Sequence, residues 1–141
     1  MKCRIKFLLS WCLVLALFSL RSYTLQSDDL QKEIIQPRFT YINVFQNSFN
    51  ISNNGKATAE VFLYAHDVDQ VEVQANIQQY NNGAWQTIKS WSSTQQGTSC
   101  RLGKSWYVES GYSYRLVSYG YVYRNNAIVE YTVYIGSAKY Y

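Results

Sequence analysis

The chain has 141 residues, of which 13 are Lys or Arg, 9 are Asp or Glu, 3 are Cys and 1 is His. Four of the basic residues precede Leu25, so residues 25–141 carry nine basic and nine acidic side chains and no net charge. A nucleic-acid-binding surface needs a basic excess in the folded part, and a multi-ligand His/Cys metal site needs more of those residues. We therefore expect no nucleic-acid partner and no metal site, and no motif indicates a cofactor.

The N-terminus has the pattern of an export signal. Residues 1–6 carry three positive charges, and residues 7–20 (FLLSWCLVLALFSL) form a run of 14 residues without a charge. Such a run is short for a membrane-spanning helix but fits the apolar region of a signal peptide. We therefore expect a helical signal peptide at 1–24 and a secreted protein with no membrane span after cleavage. An uncleaved anchor is the alternative.

The next segment, residues 25–37, is polar and acidic and ends at Pro37, so we expect it to be a mobile leader. Cys3 and Cys12 belong to the signal, which leaves Cys100 as the single cysteine of the exported chain. An odd cysteine in an exported protein indicates either a buried thiol or an intermolecular disulfide. A dimer bridged through Cys100 is therefore one expectation for the oligomeric state.

From residue 38 onward, short runs of alternating apolar and polar residues are separated by Asn, Gly and Ser. This pattern, with its abundance of Tyr, Val and Ile, is typical of β-strands. The predicted strands cover residues 38–44, 49–52, 57–65, 71–80, 84–91, 100–108, 112–124 and 127–136. They predict one domain at 38–141.

Two turns set the pairing of four of these strands. Asn82-Gly83 suits a type I′ turn, which needs positive φ at both central residues, and it predicts that Ile77 faces Ile88 and that Tyr80 faces Trp85. Asn125-Asn126 is the second turn. The pairs around it that we assign to the core are Leu116 with Ile135, Ser118 with Val133, Gly120 with Tyr131, and Val122 with Val129. A shift by one residue would turn a different set of side chains inward.

Seven or eight short antiparallel strands predict an all-β fold, namely a two-sheet immunoglobulin-like β-sandwich. The run Gly111-Tyr112-Ser113-Tyr114 resembles the tyrosine corner of such sandwiches, with Tyr114 as the corner residue. The Cys–Trp–Cys core of antibody domains is absent from the sequence. A small β-barrel is the alternative architecture.

Several segments, taken in order, resemble one family. They are Arg38-Phe39-Thr40-Tyr41, Val68-Asp69-Gln70-Val71, Gly83-Ala84-Trp85, Gly111-Tyr112-Ser113-Tyr114-Arg115 and a late Glu130. Together they resemble small exported proteins of Gram-positive bacteria that carry only an uncharacterised-domain label. The resemblance covers residues 38–138 and implies secretion and a single β-rich domain, but no activity and no site residues. The chain departs from the family after Tyr119-Gly120, where Tyr121 stands in place of an expected His.

One combination of residues would suit catalysis. Cys100 as nucleophile, His66 as base and Arg115 as oxyanion donor would be similar to the transpeptidation site of sortases. The Thr-Leu-x-Thr-Cys run of sortases is absent, so this is the least favoured function and we assign no catalytic residue. Asp67 and Asp69 could begin a calcium loop, but no D-x-D-x-D-G pattern follows, and a solvated turn is the simpler interpretation.

The tyrosines favour a binding function. With the core pairs given above, the outward side chains of one sheet that we assign to a ligand site are Tyr80, Arg115, Tyr119, Tyr121, Glu130 and Tyr134. Tyrosine offers a large amphipathic contact area at low entropic cost. We therefore predict a non-enzymatic binding module for a carbohydrate, the cell envelope or another exported protein. A self-assembling or antibacterial secreted protein is the alternative, and an ordinary strand surface rich in Tyr is the simplest interpretation.

Overall fold

The computed structural model describes residues 38–141, which form one compact unit. The strands are β1 (Ile42–Ile51), β2 (Lys56–Ala65), β3 (Gln70–Asn81), β4 (Ala84–Gln96), β5 (Ser99–Tyr107), β6 (Ser113–Arg124), β7 (Ala127–Ile135) and β8 (Lys139–Tyr140). The predicted signal peptide (1–24) and leader (25–37) lie outside the described residues. In the described range, no helix has the length and hydrophobicity needed to cross a membrane.

The strands form two antiparallel sheets. One has the order β1-β2-β5, and the other has the order β4-β3-β6-β7, with β8 also pairing with β6. This arrangement confirms the predicted two-sheet sandwich, because the sheets do not close into a barrel. The groups β1-β2-β5 and β3-β6-β7 correspond to the A-B-E and C-F-G groups of immunoglobulin-like sandwiches, while β4 lies beside β3.

Two predicted strand boundaries are wrong. The two strands predicted at 38–44 and 49–52 are one strand, β1, which begins only at Ile42, because residues 45–48 pair with β2 without interruption. The loop predicted at 92–97 belongs mostly to β4, because residues 92–96 pair with β3. In both cases the sequence is polar where the strand lies at the edge of a sheet. Backbone pairing with a central strand holds these segments extended despite that composition.

The core lies between the sheets and comes mainly from the central strands β2, β3 and β6. Their inward residues alternate with outward ones, as the strand period requires. The buried inward residues include Ala59, Val61, Leu63, Val71, Val73, Ala75, Leu116 and Val122. Each fully buried Val or Leu side chain stabilises the fold by about 1.5–3 kcal/mol relative to exposure. The core therefore depends on strands that are paired along both edges.

Both predicted two-residue turns are confirmed. Asn82 and Gly83 have φ values of 51° and 81°, and Asn125 and Asn126 have values of 52° and 62°. Positive φ at both central residues is the geometry of a type I′ turn. After the first turn, Tyr80 faces Trp85 as predicted, but an irregularity between Ile77 and Gln78 places Ile77 opposite Lys89 instead of Ile88.

Tyr114 forms the predicted tyrosine corner. Its side chain is fully buried, and its hydroxyl donates a 2.6 Å hydrogen bond to the backbone carbonyl of Glu109. The Gln79 amide donates to the same hydroxyl at 3.1 Å. Burial raises the pKa of Tyr114, while the bonds to Gln79 and Glu109 oppose the shift. The hydroxyl therefore stays protonated and ties the start of β6 to the preceding loop.

Tyr114→Phe should lower the free energy of unfolding by about 1–3 kcal/mol, because the carbonyl of Glu109 and the amide of Gln79 lose a buried partner. Urea unfolding followed by tryptophan fluorescence measures this change. Tyr140→Phe is the matched control, since Tyr140 is 77% exposed, and it should change stability little. An equal effect of both substitutions would contradict the role of the corner.

Candidate functional site

A β-bulge in the last hairpin changes which face of β7 looks outward. Next to the turn, Arg124 pairs with Ala127 and Tyr123 with Ile128, as the sequence predicts. The register then shifts by one residue, so that Val122 pairs with Glu130 instead of Val129. All four core pairs predicted for this hairpin are therefore wrong. Val129 is the extra residue of the bulge.

The inward positions on β6 are predicted correctly, and their partners on β7 are not. Ser118 faces Tyr134 and Gly120 faces Thr132. A Cβ atom on Gly120 would approach the Phe45 ring to 3.0 Å and the Leu63 side chain to 3.2 Å, so the space above Gly120 is already filled. The small side chain of Thr132 fits opposite Gly120, whereas the larger side chain of Tyr131, the predicted partner, would not.

Glu130 therefore points inward and does not belong to the outer surface. Its carboxylate accepts hydrogen bonds from the backbone N–H groups of Thr40 (2.7 Å), Tyr41 (2.9 Å) and Ile42 (2.8 Å). Burial alone would raise the pKa of Glu130, but these three donors, together with His66, outweigh it and lower the pKa. Glu130 holds the start of β1 against β7, which is a structural role.

Tyr134 also leaves the predicted ligand set. It lies on the inward side of β7 and lines an open groove of about 530 Å³ whose other walls come from β1, β2 and β5. Phe62 lies in this groove with the Arg101 guanidinium 4.8 Å from its ring centroid. Tyr134 is therefore separated from Tyr119 and Tyr121 of β6, whose side chains lie on the other face of the sheet.

The four remaining predicted residues share the outer face of the five-stranded sheet. Tyr119 and Tyr121 lie on β6 opposite Gln74 and Glu72 of β3. Arg115 lies near the start of β6, and Tyr80 lies near the end of β3, close to the first turn. The bulge in β7 leaves these positions unchanged, because β3 and β6 pair regularly with each other.

Tyr119, Tyr121 and Tyr131, which we call the tyrosine ladder, form one stacked row across β6 and β7. The ring centroids of Tyr119 and Tyr121 are 6.4 Å apart with an angle of 10° between the planes. Those of Tyr121 and Tyr131 are also 6.4 Å apart, with an angle of 29°. Sequence reasoning placed Tyr131 in the core, but it is 63% exposed. The bulge brought it outward, and no residue pattern indicated that bulge.

A second aromatic group, Tyr80, Trp85 and Arg115, lies at the other end of the same face, and we call it the Trp85 cluster. The Arg115 guanidinium lies 4.2 Å from the Trp85 ring centroid and donates a 2.8 Å hydrogen bond to Gln78. The Tyr80 and Trp85 rings are tilted by 56° at 5.2 Å. Trp85 was not assigned to the site, although its predicted pairing with Tyr80 was a sufficient signal.

Polar groups next to the tyrosine ladder are held in place by hydrogen bonds. The Tyr123 hydroxyl donates to the Glu72 carboxylate at 2.8 Å, and the Gln74 amide donates to the other carboxylate oxygen at 3.1 Å. Burial and the bond to Glu72 raise the pKa of Tyr123 to about 12. Burial, together with the neighbouring Tyr119, Glu72 and Tyr131, also raises the pKa of Tyr121. The phenols are therefore neutral hydrogen-bonding groups at physiological pH.

The chemistry-bearing residues considered for catalysis are engaged elsewhere in the fold. Cys100 is 1% exposed, and its thiol donates to the backbone carbonyl of Ser93 at 3.3 Å. Of the two sequence expectations for Cys100, the structure shows the buried thiol. A bridge to a second chain would require the sandwich to open at Cys100, and the intermolecular disulfide stays a prediction. His66 lies at the surface, where its Nδ1 is hydrogen-bonded to Asn43 at 2.7 Å.

The acidic pair near His66 has a local structural role. The Asp69 carboxylate accepts a 2.6 Å hydrogen bond from the backbone N–H of Asn125 in the second turn. Asp67 adopts a positive φ of 54° in the connection between β2 and β3. Among residues 38–141, no group of three or more His, Cys, Asp or Glu side chains is arranged to hold a metal ion.

Comparison with known proteins leaves the site to be judged on its geometry. No protein-family model matches the chain. A search of curated proteins finds no match either. The resemblance to exported proteins of Gram-positive bacteria therefore stays a prediction from the sequence.

Glu130→Gln should lower the free energy of unfolding at pH 7 by about 1–3 kcal/mol, because the charged acceptor of three backbone donors is weakened. A carboxyl whose pKa is lowered by folding stabilises the fold above its unfolded pKa, and this contribution disappears as the pH falls through the folded pKa. The stability difference between Glu130→Gln and the unmodified chain should therefore shrink as the pH falls below 4.5, the ordinary pKa of a glutamate carboxyl group. Urea unfolding at pH 7 and pH 3 measures it. Glu60→Gln, at an exposed carboxylate on β2, is the control, and a deficit independent of pH would contradict this account.

Cys100 should react slowly with iodoacetamide in the native protein and fast in urea, because reaction requires an exposed thiolate. Mass spectrometry of timed samples gives the rate. Rapid modification of the native protein near neutral pH would contradict the burial of Cys100. It would also favour the transpeptidase hypothesis.

Proposed function

We propose that this chain is an exported, non-enzymatic binding module whose ligand surface is the outer face of the β4-β3-β6-β7 sheet. The tyrosine ladder and the Trp85 cluster supply the aromatic part of this face. The observation that carries the proposal is the ladder, in which three tyrosine rings are aligned and partly open to solvent. Arrays of exposed aromatic rings on a soluble domain favour a contact surface over an ordinary sheet exterior.

The physical properties of the face suit a ligand that has flat apolar surfaces bordered by hydroxyl groups. Tyrosine rings contribute large contact areas, and each retains a hydroxyl that can donate or accept a hydrogen bond. On the neighbouring strand β3, Glu72, Gln74 and Gln78 add hydrogen-bonding groups beside the aromatic residues. A polysaccharide has this combination of properties, because its sugar rings have C–H faces and hydroxyl edges. Glycans of the cell envelope are therefore the ligand class that we propose.

A second exported protein is the other candidate ligand, and a different feature supports it. Beside the ladder, Val133 and Ile135 also face outward, and they are 45% and 61% exposed. Aliphatic side chains next to aromatic ones are typical of the central part of a protein interface. This mixed border suits a protein partner better than a sugar.

Support for the exported part of the proposal comes from the sequence. Three basic residues precede a 14-residue apolar run, which is the arrangement of a signal peptide. The absence of an accessible thiol–imidazole pair supports the non-enzymatic part, because Cys100 and His66 have separate partners within residues 38–141. Both parts are consistent with a protein that acts by contact outside the cell.

The double substitution Tyr119→Ala and Tyr121→Ala should weaken binding by a factor of about 5 to 100 while leaving the melting temperature nearly unchanged. Each lost aromatic contact is worth about 0.5–1.5 kcal/mol, and about 1.4 kcal/mol corresponds to a factor of ten. The measurement is retention of the chain from Leu25 to Tyr141 on a Gram-positive envelope fraction and on a panel of insoluble polysaccharides.

The matched control is Tyr64→Ala with Tyr107→Ala, which removes two exposed tyrosines from the outer side of the other sheet. It should retain binding. Equal loss in both double variants would show that the aromatic face is not the site. No retention of the unmodified chain on any glycan or envelope material would overturn the glycan ligand.

A further inference from the structure

The strand β7 is an edge strand whose protective features, the bulge at Val129 and the inward-pointing Glu130, lie near the turn, while residues 131–135 carry neither a charge nor a proline. Within residues 38–141, its outer side pairs with no other strand. Its nine residues, AIVEYTVYI, include no Lys, Arg or Pro. Charged side chains and proline on an edge normally prevent pairing with another chain. Of the other edge strands, β4 carries Lys89 and β5 carries Arg101 and Lys104, while β1 also has no charged residue but alternates its apolar side chains with Asn, Gln and Ser.

The hydrogen-bonding direction of the free edge follows from one contact. The backbone N–H of Gly136 donates to the carbonyl of Leu116 at 2.8 Å. In antiparallel pairs, hydrogen-bonded and non-hydrogen-bonded positions alternate. The backbone groups of Tyr131, Val133 and Ile135 therefore point away from β6, toward the open edge. These residues also carry exposed side chains on the outer face, with fractions of 63%, 45% and 61%.

The one charge on β7 does not oppose self-pairing. Glu130 points to the inner side, where three backbone N–H groups of the segment leading into β1 already occupy its carboxylate. Two copies of β7 can therefore meet without placing like charges opposite one another. The remaining side chains on the outer side are β-branched or aromatic, which are the favoured partners in cross-strand pairs.

We propose that β7 pairs antiparallel with β7 of a second copy of this chain, in a register centred on Val133. In this register Val133 faces the same residue of the other copy, and Tyr131 faces Ile135 in both directions. Every residue beyond the bulge whose backbone N–H and C=O point to the open edge is then hydrogen-bonded to the second copy. A register centred on Thr132 would use only Tyr131 and Val133, and one centred on Tyr131 would require the bulged Val129 to pair. The symmetry is two-fold, so the contact closes at a dimer.

The dimer would join the β4-β3-β6-β7 strands of both copies into one continuous sheet with eight long strands. Side chains on the outer face keep their direction when a strand is added at the edge. The two tyrosine ladders would therefore lie side by side on one surface. This inference rests on the edge of β7 and not on any ligand, so it stands or fails separately from the proposed binding function.

The test uses opposite charges at the centre of the register, in the chain from Leu25 to Tyr141. The unmodified chain should be dimeric by sedimentation equilibrium, with the dimer fraction rising from micromolar to millimolar concentration. Val133→Lys and Val133→Glu should each be monomeric, because like charges directly opposite each other are destabilising. An equimolar mixture of the two variants should restore the dimer, since each mixed pair then places opposite charges together.

The control is Ile128→Lys, on the same strand but on the turn side of the bulge, where Ile128 is 53% exposed. It should stay dimeric, and all variants should keep the native circular dichroism spectrum. A monomeric unmodified chain, or dimeric Val133→Lys, would overturn the proposal. The proposal would also be overturned if residues 25–141 were monomeric and residues 38–141 were dimeric. In that case the leader segment would occupy the edge of β7 in the longer chain.

Discussion

The β-bulge at Val129 is the feature on which the rest of this structure depends. It turns Glu130 inward, where the carboxylate holds the segment that leads into β1. The same shift turns Tyr131, Val133 and Ile135 outward. Without the bulge, Tyr131 would lie opposite Gly120, where Phe45 and Leu63 already fill the space. One extra residue thus resolves a packing conflict and creates the exposed aromatic face.

The two faces of β7 consequently have different roles. The inner side joins the sheets through Glu130 and closes one wall of the groove that contains Tyr134. The outer side extends the aromatic surface of β6 toward the open edge. Because β2, β3 and β6 supply most of the core, β7 can carry exposed apolar residues without loss of the fold. On β3 and β6 the inward side chains form the core and the outward ones belong to the proposed binding surface, so stability and binding are assigned to opposite faces of the sheet.

Much of the fold follows from local signals in the sequence. Asn82-Gly83 and Asn125-Asn126 predicted two turns, and Gly111-Tyr112-Ser113-Tyr114 predicted the corner, because each depends on a few neighbouring residues. The inward positions of β6 also followed from strand periodicity. The register shifts at Ile88 and Val129 did not follow from periodicity, because no local residue pattern indicates them. The assignments of Glu130, Tyr131 and Tyr134 failed for that reason, whereas Tyr80, Arg115, Tyr119 and Tyr121 depended only on regular pairing.

The central claim is that ligands meet the aromatic face and not the other sheet. Hydroxyl-radical footprinting of the chain, free and bound to an envelope fraction, measures this directly at each tyrosine. The account predicts protection of Tyr119, Tyr121 and Tyr131 on binding, with unchanged labelling of Tyr64 and Tyr107. Protection of Tyr64 and Tyr107 with an unprotected ladder would contradict it and would place the binding surface on the β1-β2-β5 sheet.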